Sequence, residues 1–329
     1  MDFGKAFDKV SHVILMQKLC NFGVSGCLLN WCRDYLSNRE QRVVIDGKSS
    51  DWRPIPSGVP QGSLLGPLFF VIFINDLPDV VSPTSLVALY ADDCKILRVI
   101  QHPCDHESLQ DDLNSLVSWG RLNHMSFNTK KCKLMRITKT RSPIFAPLQL
   151  GDATLEVTTE FSDLGLLTNH KLSWNSHIDK ISSKANKVLG LIKRNCREFR
   201  DVLTLRTVYC ALVRSPLEYG SVVWSPFTAR NITKLERVQR RATKFILNTE
   251  DDYEVRFSNL NLLSLEHRRF LFDVLFFYKA LNGYINIDMS RRVQFYSDTA
   301  SYPLRGKDSL TLKKNYARTN VFKFSVIVL

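Results

Sequence analysis

No apolar run in the 329-residue sequence is long enough to cross a bilayer. The tightest, Leu64 to Ile74, falls well short of the roughly 20 residues a spanning helix needs. No charged-then-apolar leader opens the chain, so neither a membrane partner nor secretion is expected. The eight cysteines (Cys20, Cys27, Cys32, Cys94, Cys104, Cys132, Cys196, Cys210) include no CxxC pair and no disulfide framework. They read as reduced thiols of an intracellular protein, in the nucleus and/or cytoplasm. His102, Cys104 and His106 have metal-ligand chemistry but lack a second half-site, and read as a solvated loop rather than a zinc centre. Internal repeats and low-complexity tracts are missing, and with only 14 Gly and 12 Pro the composition excludes collagen, mucin-like stalks and a mainly disordered chain.

What is present is a folding composition with displaced charge. Apolar residues make up 44% and charged residues 23%, enough for a sizeable core, and the length allows two or three domains. The net charge of +13 favours a polyanionic partner. Its placement is uneven. Residues 1–130 hold 12 basic and 14 acidic side chains, whereas residues 171–244 hold 16 basic and only 5 acidic. Acids early in the chain suit something cationic; bases later suit something anionic.

The periodicity is mixed. Helical spacing covers His12 to Phe22, Ser25 to Leu36, Leu64 to Asp76 and Leu109 to His124, with strands at Gln41 to Asp46, Ser85 to Tyr90 and Cys94 to Ile100. Asp46-Gly47 is a hairpin signal. Beyond Gly165 the pattern turns helical, over Ser176 to Arg200, Leu203 to Arg214, Asn231 to Leu247 and Leu265 to Leu281, which places a domain boundary near residue 165. The chain opens on Met1-Asp2-Phe3 without a run-in strand and closes on the apolar Val321 to Leu329, so a fragment of a longer reading frame is expected.

Asp92 and Asp93 are adjacent acids between two apolar strands. They are either an exposed turn or a platform for a divalent cation, because like charges in a tight hairpin repel unless water or a cation screens them. Magnesium suits few carboxylates with retained waters and substrate phosphates. Asp2, at the end of an expected strand, is a candidate further ligand. The loop Ser57-Gly-Val-Pro-Gln-Gly-Ser63 precedes an apolar helix and is either an ordinary cap or a nucleotide cradle.

Together these residues resemble a known family. Asp2-Phe-Gly-Lys-Ala-Phe-Asp8, Ser57-Gly-Val-Pro-Gln-Gly-Ser-Leu-Leu-Gly-Pro67 and Tyr90-Ala-Asp-Asp93 are similar, in order and spacing, to motifs A, B and C of reverse transcriptases, more narrowly those of non-LTR, LINE-type, jockey-like retrotransposons. Trp119 through Asn128-Thr-Lys-Lys-Cys132 resembles the motif D region, and Phe161-Ser-Asp-Leu-Gly165 the motif E primer grip. Leu172 to Ile178, Leu217 to Trp224 and Leu235 to Ala242 resemble the thumb and post-polymerase region.

The resemblance implies an α+β fold: a partial right-hand polymerase palm, an antiparallel sheet with helices and no fingers, over 1–165. A basic helical thumb would occupy 166–250, and a helical C-terminal tail 251–329. It implies Asp2, Asp92 and Asp93 as ligands of two Mg2+ ions, with Mn2+ as a substitute. Phe7 would select dNTPs, with a core aromatic as its alternative reading, and Gln61 and Gly62 would touch the incoming nucleotide. Lys131 would be the motif D general acid, with Lys130 its neighbour and competitor. Lys180, Lys184, Lys187, Lys193, Arg194, Arg197 and Arg200 would form a helical stripe on nucleic acid, or else a solvated face. Trp174 and Trp224 read as core residues before base-stacking ones.

The implied function is RNA-directed DNA synthesis, a two-metal transfer of dNTPs onto a primer 3′-hydroxyl. The implied partners are an RNA template, a DNA primer and other retrotransposon-encoded proteins. A non-catalytic, basic RNA-binding remnant is the alternative. With no fingers and a strand that starts at Met1, Asp2 is expected to fray and activity to be reduced.

Overall fold

The computed structural model describes residues 1–138, 140, 144, 146–199, 201–289 and 293. The chain divides after Thr159 into two compact units, each with its own apolar core.

In the first unit a 3-10 turn, Ala6–Lys9, leads into α1 (His12–Asn21) and α2 (Gly26–Leu36). Ser11 starts α1 by accepting the Ile14 N–H, a standard N-cap. Two nested antiparallel ladders come next, β1 (Glu40–Gln41) with β4 (Arg53–Pro54) outside β2 (Val44–Ile45) and β3 (Lys48–Ser49). Asp46 and Gly47 both have positive φ, as the Asp-Gly hairpin signal requires. The apolar α3 (Leu65–Ile74) buries Phe69, Phe70, Phe73 and Ile74 at the centre of the unit. Hairpin β5 (Leu86–Tyr90) and β6 (Asp93–Leu97) is succeeded by α4 (Pro103–Leu122).

Six residues ahead of its expected start, α4 begins at Pro103. Proline suits a first helical turn, and Asp105 accepts the N–H groups of Gln101 and His102 at 2.9 and 2.8 Å. This turn contains His102, Cys104 and His106, so the expected loop is helical. β7 (Lys133–Met135), β8 (Gln149–Leu150), β9 (Ala153–Thr154) and β10 (Glu156–Thr158) close the unit, with β10 parallel to β7.

The second unit opens with hairpin β11 (Glu160–Asp163) and β12 (Leu166–Asn169), then α5 (Asn175–Asn195). α6 (Val202–Val208) runs through a π-helical turn, Tyr209–Arg214, into α7 (Ser215–Glu218) and on to α8 (Ser221–Trp224). α9 (Ala229–Leu247), α10 (Tyr253–Asn259) and α11 (Leu265–Leu281) complete it. Trp224 is fully buried, and Trp174 packs edge-on against His177, whose ring in turn meets Trp224. Both tryptophans are therefore packing residues. His177 Nδ1 accepts the Leu167 N–H and ties α5 to β12. The tail beyond Met289, and with it the Val321 to Leu329 run, falls outside the described residues apart from Val293.

The α+β expectation fits this mixture of helices and small sheets. The strands do not merge into one antiparallel sheet, however: among the described residues they form two-stranded ladders, five antiparallel and one parallel. Short strands explain this. Most ladders here are two to four residues long, and single bridges rather than continuous pairing join them to the chain start.

Candidate active site

Three segments far apart in sequence meet at Asp2. Its neighbour Met1 exchanges hydrogen bonds with Cys94 on β6, the Cys94 N–H donating to the Met1 carbonyl at 3.1 Å. On the other side the Asn128 N–H donates to the Asp2 carbonyl at 2.8 Å, and the Gly4 N–H to the Ser126 carbonyl at 2.8 Å. The Asp2 N–H points at Cys132 Sγ, 3.4 Å away. Phe3 stacks on Phe127 with ring centroids 4.5 Å apart. The expected fraying of Asp2 is thus overturned, because its backbone is bonded on both edges over a buried phenylalanine.

Asp2 is the direct antiparallel partner of Asp93. Opposed residues of an antiparallel pair point to the same face with Cβ atoms about 5 Å apart, so two carboxylates share one side of the bridge. Asp92 occupies the two-residue turn of the β5–β6 hairpin beside Ala91, whose φ of +50° is unusual for a residue with a Cβ. Such strain concentrates at functional turns.

Lys131 compensates this negative charge. Its Nζ lies 2.9 Å from Asp2 Oδ2. The hydrogen bond and charge of Asp2 raise the Lys131 pKa above the ordinary lysine value, and Asp92 and Asp93 add smaller attractions. One ammonium therefore senses all three acids. Lys130, its sequence competitor, has no ion pair among the described residues. Beneath the site Cys94 and Cys132 are buried, and burial pushes the Cys94 thiol up to about 11. Both remain protonated packing groups at neutral pH.

The expected nucleotide loop is fastened to the stretch after Asp2. The Val59 N–H donates to the Phe7 carbonyl and the Gly58 N–H to the Val10 carbonyl, each at 2.8 Å. Gly58 has φ +94°, and a Cβ there would sit 2.8 Å from the Asp8 Cα and carbonyl oxygen, so glycine is required. Gln61 Nε2 donates to Asp8 Oδ1 at 3.1 Å. A carboxylate only accepts, so this bond engages the Gln61 amide nitrogen, and the Gln61 carbonyl has no hydrogen-bond partner among the described residues. Gly62, φ +79°, faces open space. Phe7 stacks on Phe70 with centroids 4.5 Å apart and is half-buried, which agrees with its core reading while leaving an edge accessible.

Sequence reasoning missed two residues here. Asp8 ends the motif A stretch and Cys132 ends the motif D stretch, and the signal for each was its place in a motif rather than any pattern of its own.

The acids suit a hard cation. Carboxylate oxygens are the ligands magnesium prefers. Among the described residues no three His, Cys, Asp or Glu side chains close on one point. The donor set therefore fits an ion that completes its shell with water and substrate oxygens, and does not fit an all-protein cage.

In the second unit Lys180, Lys184, Lys187 and Arg194 lie within about 80° of one another around α5, opposite its buried face. Lys193 does not join them. It turns toward α9, over the Phe245 ring, and burial beside Arg241 and Lys244 lowers its pKa. Arg197 lies past the end of α5, exposed, and Arg200 falls outside the described residues.

Opposed carboxylates, a hairpin acid and a paired lysine thus meet in one α+β unit. The chain belongs to the reverse transcriptase (RNA-dependent DNA polymerase) family, whose model matches residues 1–192. Within it, the similarity is to the jockey-like, non-LTR branch. The chain is 28% identical over 276 residues to "Probable RNA-directed DNA polymerase from transposon BS" of Drosophila melanogaster, covering 79% of this chain and 30% of that protein. It is 30% identical over 263 residues to the RNA-directed DNA polymerase from mobile element jockey of Drosophila funebris, covering 75% and 28%. The X-element polymerase of Drosophila melanogaster is 24% identical over 261 residues. The chain spans less than a third of the length of these relatives. Reverse transcriptases generally use divalent metals.

Proposed function

We propose that this chain carries the palm and thumb of an RNA-directed DNA polymerase, with 1–165 as palm, 166–250 as thumb and the remainder as tail. It would add dNTPs to a DNA primer on an RNA template. The observation that carries the reading is the set of Asp2 opposite Asp93, with Asp92 in the adjoining turn and Lys131 on Asp2. Asp2 and Asp92 would hold two Mg2+ or Mn2+ ions, with Asp93 beside them. Such ions, when bound, lower the pKa of the primer 3′-hydroxyl and neutralise the triphosphate.

The remaining work falls to the chain. The Gln61 carbonyl, without a partner of its own, accepts from the nucleotide, and Gly62 leaves room for it. The accessible edge of Phe7 crowds a ribose 2′ position, favouring dNTPs. Lys131, kept protonated by Asp2, carries a proton at Nζ for the departing pyrophosphate. On α5, Lys180, Lys184, Lys187 and Arg194 contact phosphates, with Lys193 and Arg197 flanking them.

Primer extension on poly(rA)/oligo(dT) with Mg2+ and dTTP tests the reading. Extension is expected with the natural chain and absent when Asp92→Ala and Asp93→Ala are combined. No extension, together with intact salt-sensitive RNA binding, would overturn it in favour of a non-catalytic RNA-binding remnant.

A further inference from the structure

His12, the first residue of α1, has no part in the chemistry described so far, yet its ring faces the nucleotide loop. His12 Nε2 lies 2.7 Å from the Gly58 carbonyl oxygen, across 46 positions of chain. A carbonyl only accepts, so Nε2 carries the proton and donates it. Among the described residues His12 is the one donor to that carbonyl.

The other bonds of the loop show what this one controls. Residues 57–59 lie along residues 7–10. The Gly58 N–H donates to the Val10 carbonyl, the Val59 N–H to the Phe7 carbonyl and Ser57 Oγ to the Asp8 carbonyl. Beyond Val59 the chain is tied to α3 instead. Ser63 Oγ donates to the Pro60 carbonyl at 2.8 Å and accepts the Gly66 N–H at 3.0 Å. A Cβ at Gly66 would sit 2.3 Å from the Pro60 oxygen, so the two segments are in close contact.

Gln61 and Gly62 therefore stand between two anchorages, α3 behind and residues 57–59 in front. Gly62, at φ +79° with open space around it, does nothing to stiffen the span. Gln61 meets Asp8 at 3.1 Å, and a shift of the loop by about 0.5 Å would take that contact out of hydrogen-bond range. Position is thus set from the front anchorage.

α1 is not free to follow the loop. Lys18 Nζ donates to the Phe73 carbonyl at 2.6 Å and to Asp76 at 2.7 Å, at the far end of α3. Leu15 and Leu19 are buried in the core. His12 is the loop-facing end of a strut fixed at its other end.

We propose that His12 is a positioning residue for the incoming nucleotide: by holding the Gly58 carbonyl it keeps Gln61 where Asp8 orients it. This rests on the reading that Gln61 meets the nucleotide, and adds a residue that acts only through the loop.

The test is equilibrium binding of dTTP to the whole chain on an rA template with a dideoxy-terminated dT primer, where no bond can form. His12→Leu should weaken dTTP about tenfold, the worth of one well-made hydrogen bond, and leave primer–template affinity within about twofold. His12→Gln, whose amide nitrogen can replace Nε2 as donor, should restore dTTP binding. In a Gln61→Ala background His12→Leu should add nothing further, because both act on one contact. Thermal melting should show that the variants fold. Nitrogen NMR of the natural chain, which needs no folded Leu variant, should place the His12 proton on Nε2. Unchanged dTTP affinity in His12→Leu, with a loss in Gln61→Ala, would overturn the role of His12 and spare the nucleotide loop. Fully additive losses, or a His12 ring protonated at Nδ1 alone, would do the same. Undiminished binding in Gln61→Ala, or a natural chain that holds primer–template but not dTTP, would overturn the loop reading and this proposal with it.

Discussion

Lys131 and Lys130 are neighbours of the same residue type, and only the three-dimensional pairing separates them. Lys131 meets Asp2 at 2.9 Å and is held protonated by it. Lys131→Ala is expected to lower primer extension by a factor of about 100, the low end for a lost general acid, and to remove the alkaline limb of the rate profile. Lys130→Ala should leave both within about twofold. Equal losses at the two positions would show that local charge alone matters. The sequence carried the motif D stretch but not this choice, because which of two adjacent side chains faces an acid depends on a segment far away in the chain, at Asp2. Asp8 was invisible for a similar reason. Its carboxylate orients Gln61 across a contact 53 positions long, and no periodicity reports that.

At the scale of elements, most boundaries were legible, since the helices advertise themselves by spacing: Leu265–Leu281 was read from sequence to the residue. The early start of α4 was also readable from Pro103 and Asp105, but the apolar pattern begins later and masked it. What escaped was the internal cost of α11. Arg269 and Asp273 are buried on one face of it, and neither finds a hydrogen-bond partner for all its atoms. Burial pushes the Asp273 carboxyl up to about 6, with Arg269 pulling the other way. A folded-state pKa above the unfolded value of about 3.9 means the folded chain binds more protons between those limits. Stability should therefore fall as pH rises from about 4 to 6 and be level above that. Urea midpoints measured across this range should show the slope, and Asp273→Asn should flatten it.

At the scale of the molecule, the buried apolar residues among those described fall, apart from Ala280, into two clusters, one from Phe3 to Leu155 and one from Ile178 to Leu265. A chain with two cores departs from a single all-or-none transition. Calorimetry is expected to resolve two unfolding events. Phe70→Ala, which opens a cavity at the centre of the first core at a cost of about 3–5 kcal/mol, should move only one of them. The division falls after Thr159, which keeps β11 with its partner β12 in the second unit, whereas the change of texture in the sequence comes near Gly165. The stitching of Met1 to Gly4 between β6 and residues 126–132 bears on how the protein is made. Asp2 and its thiol neighbour Cys132 lie 130 positions apart in the chain. The loop to be closed is long and its entropy must be met before the pairing returns anything. The acidic centre is therefore assembled near the end of folding of its unit, and a nascent or nicked chain that already has native helices would still lack it.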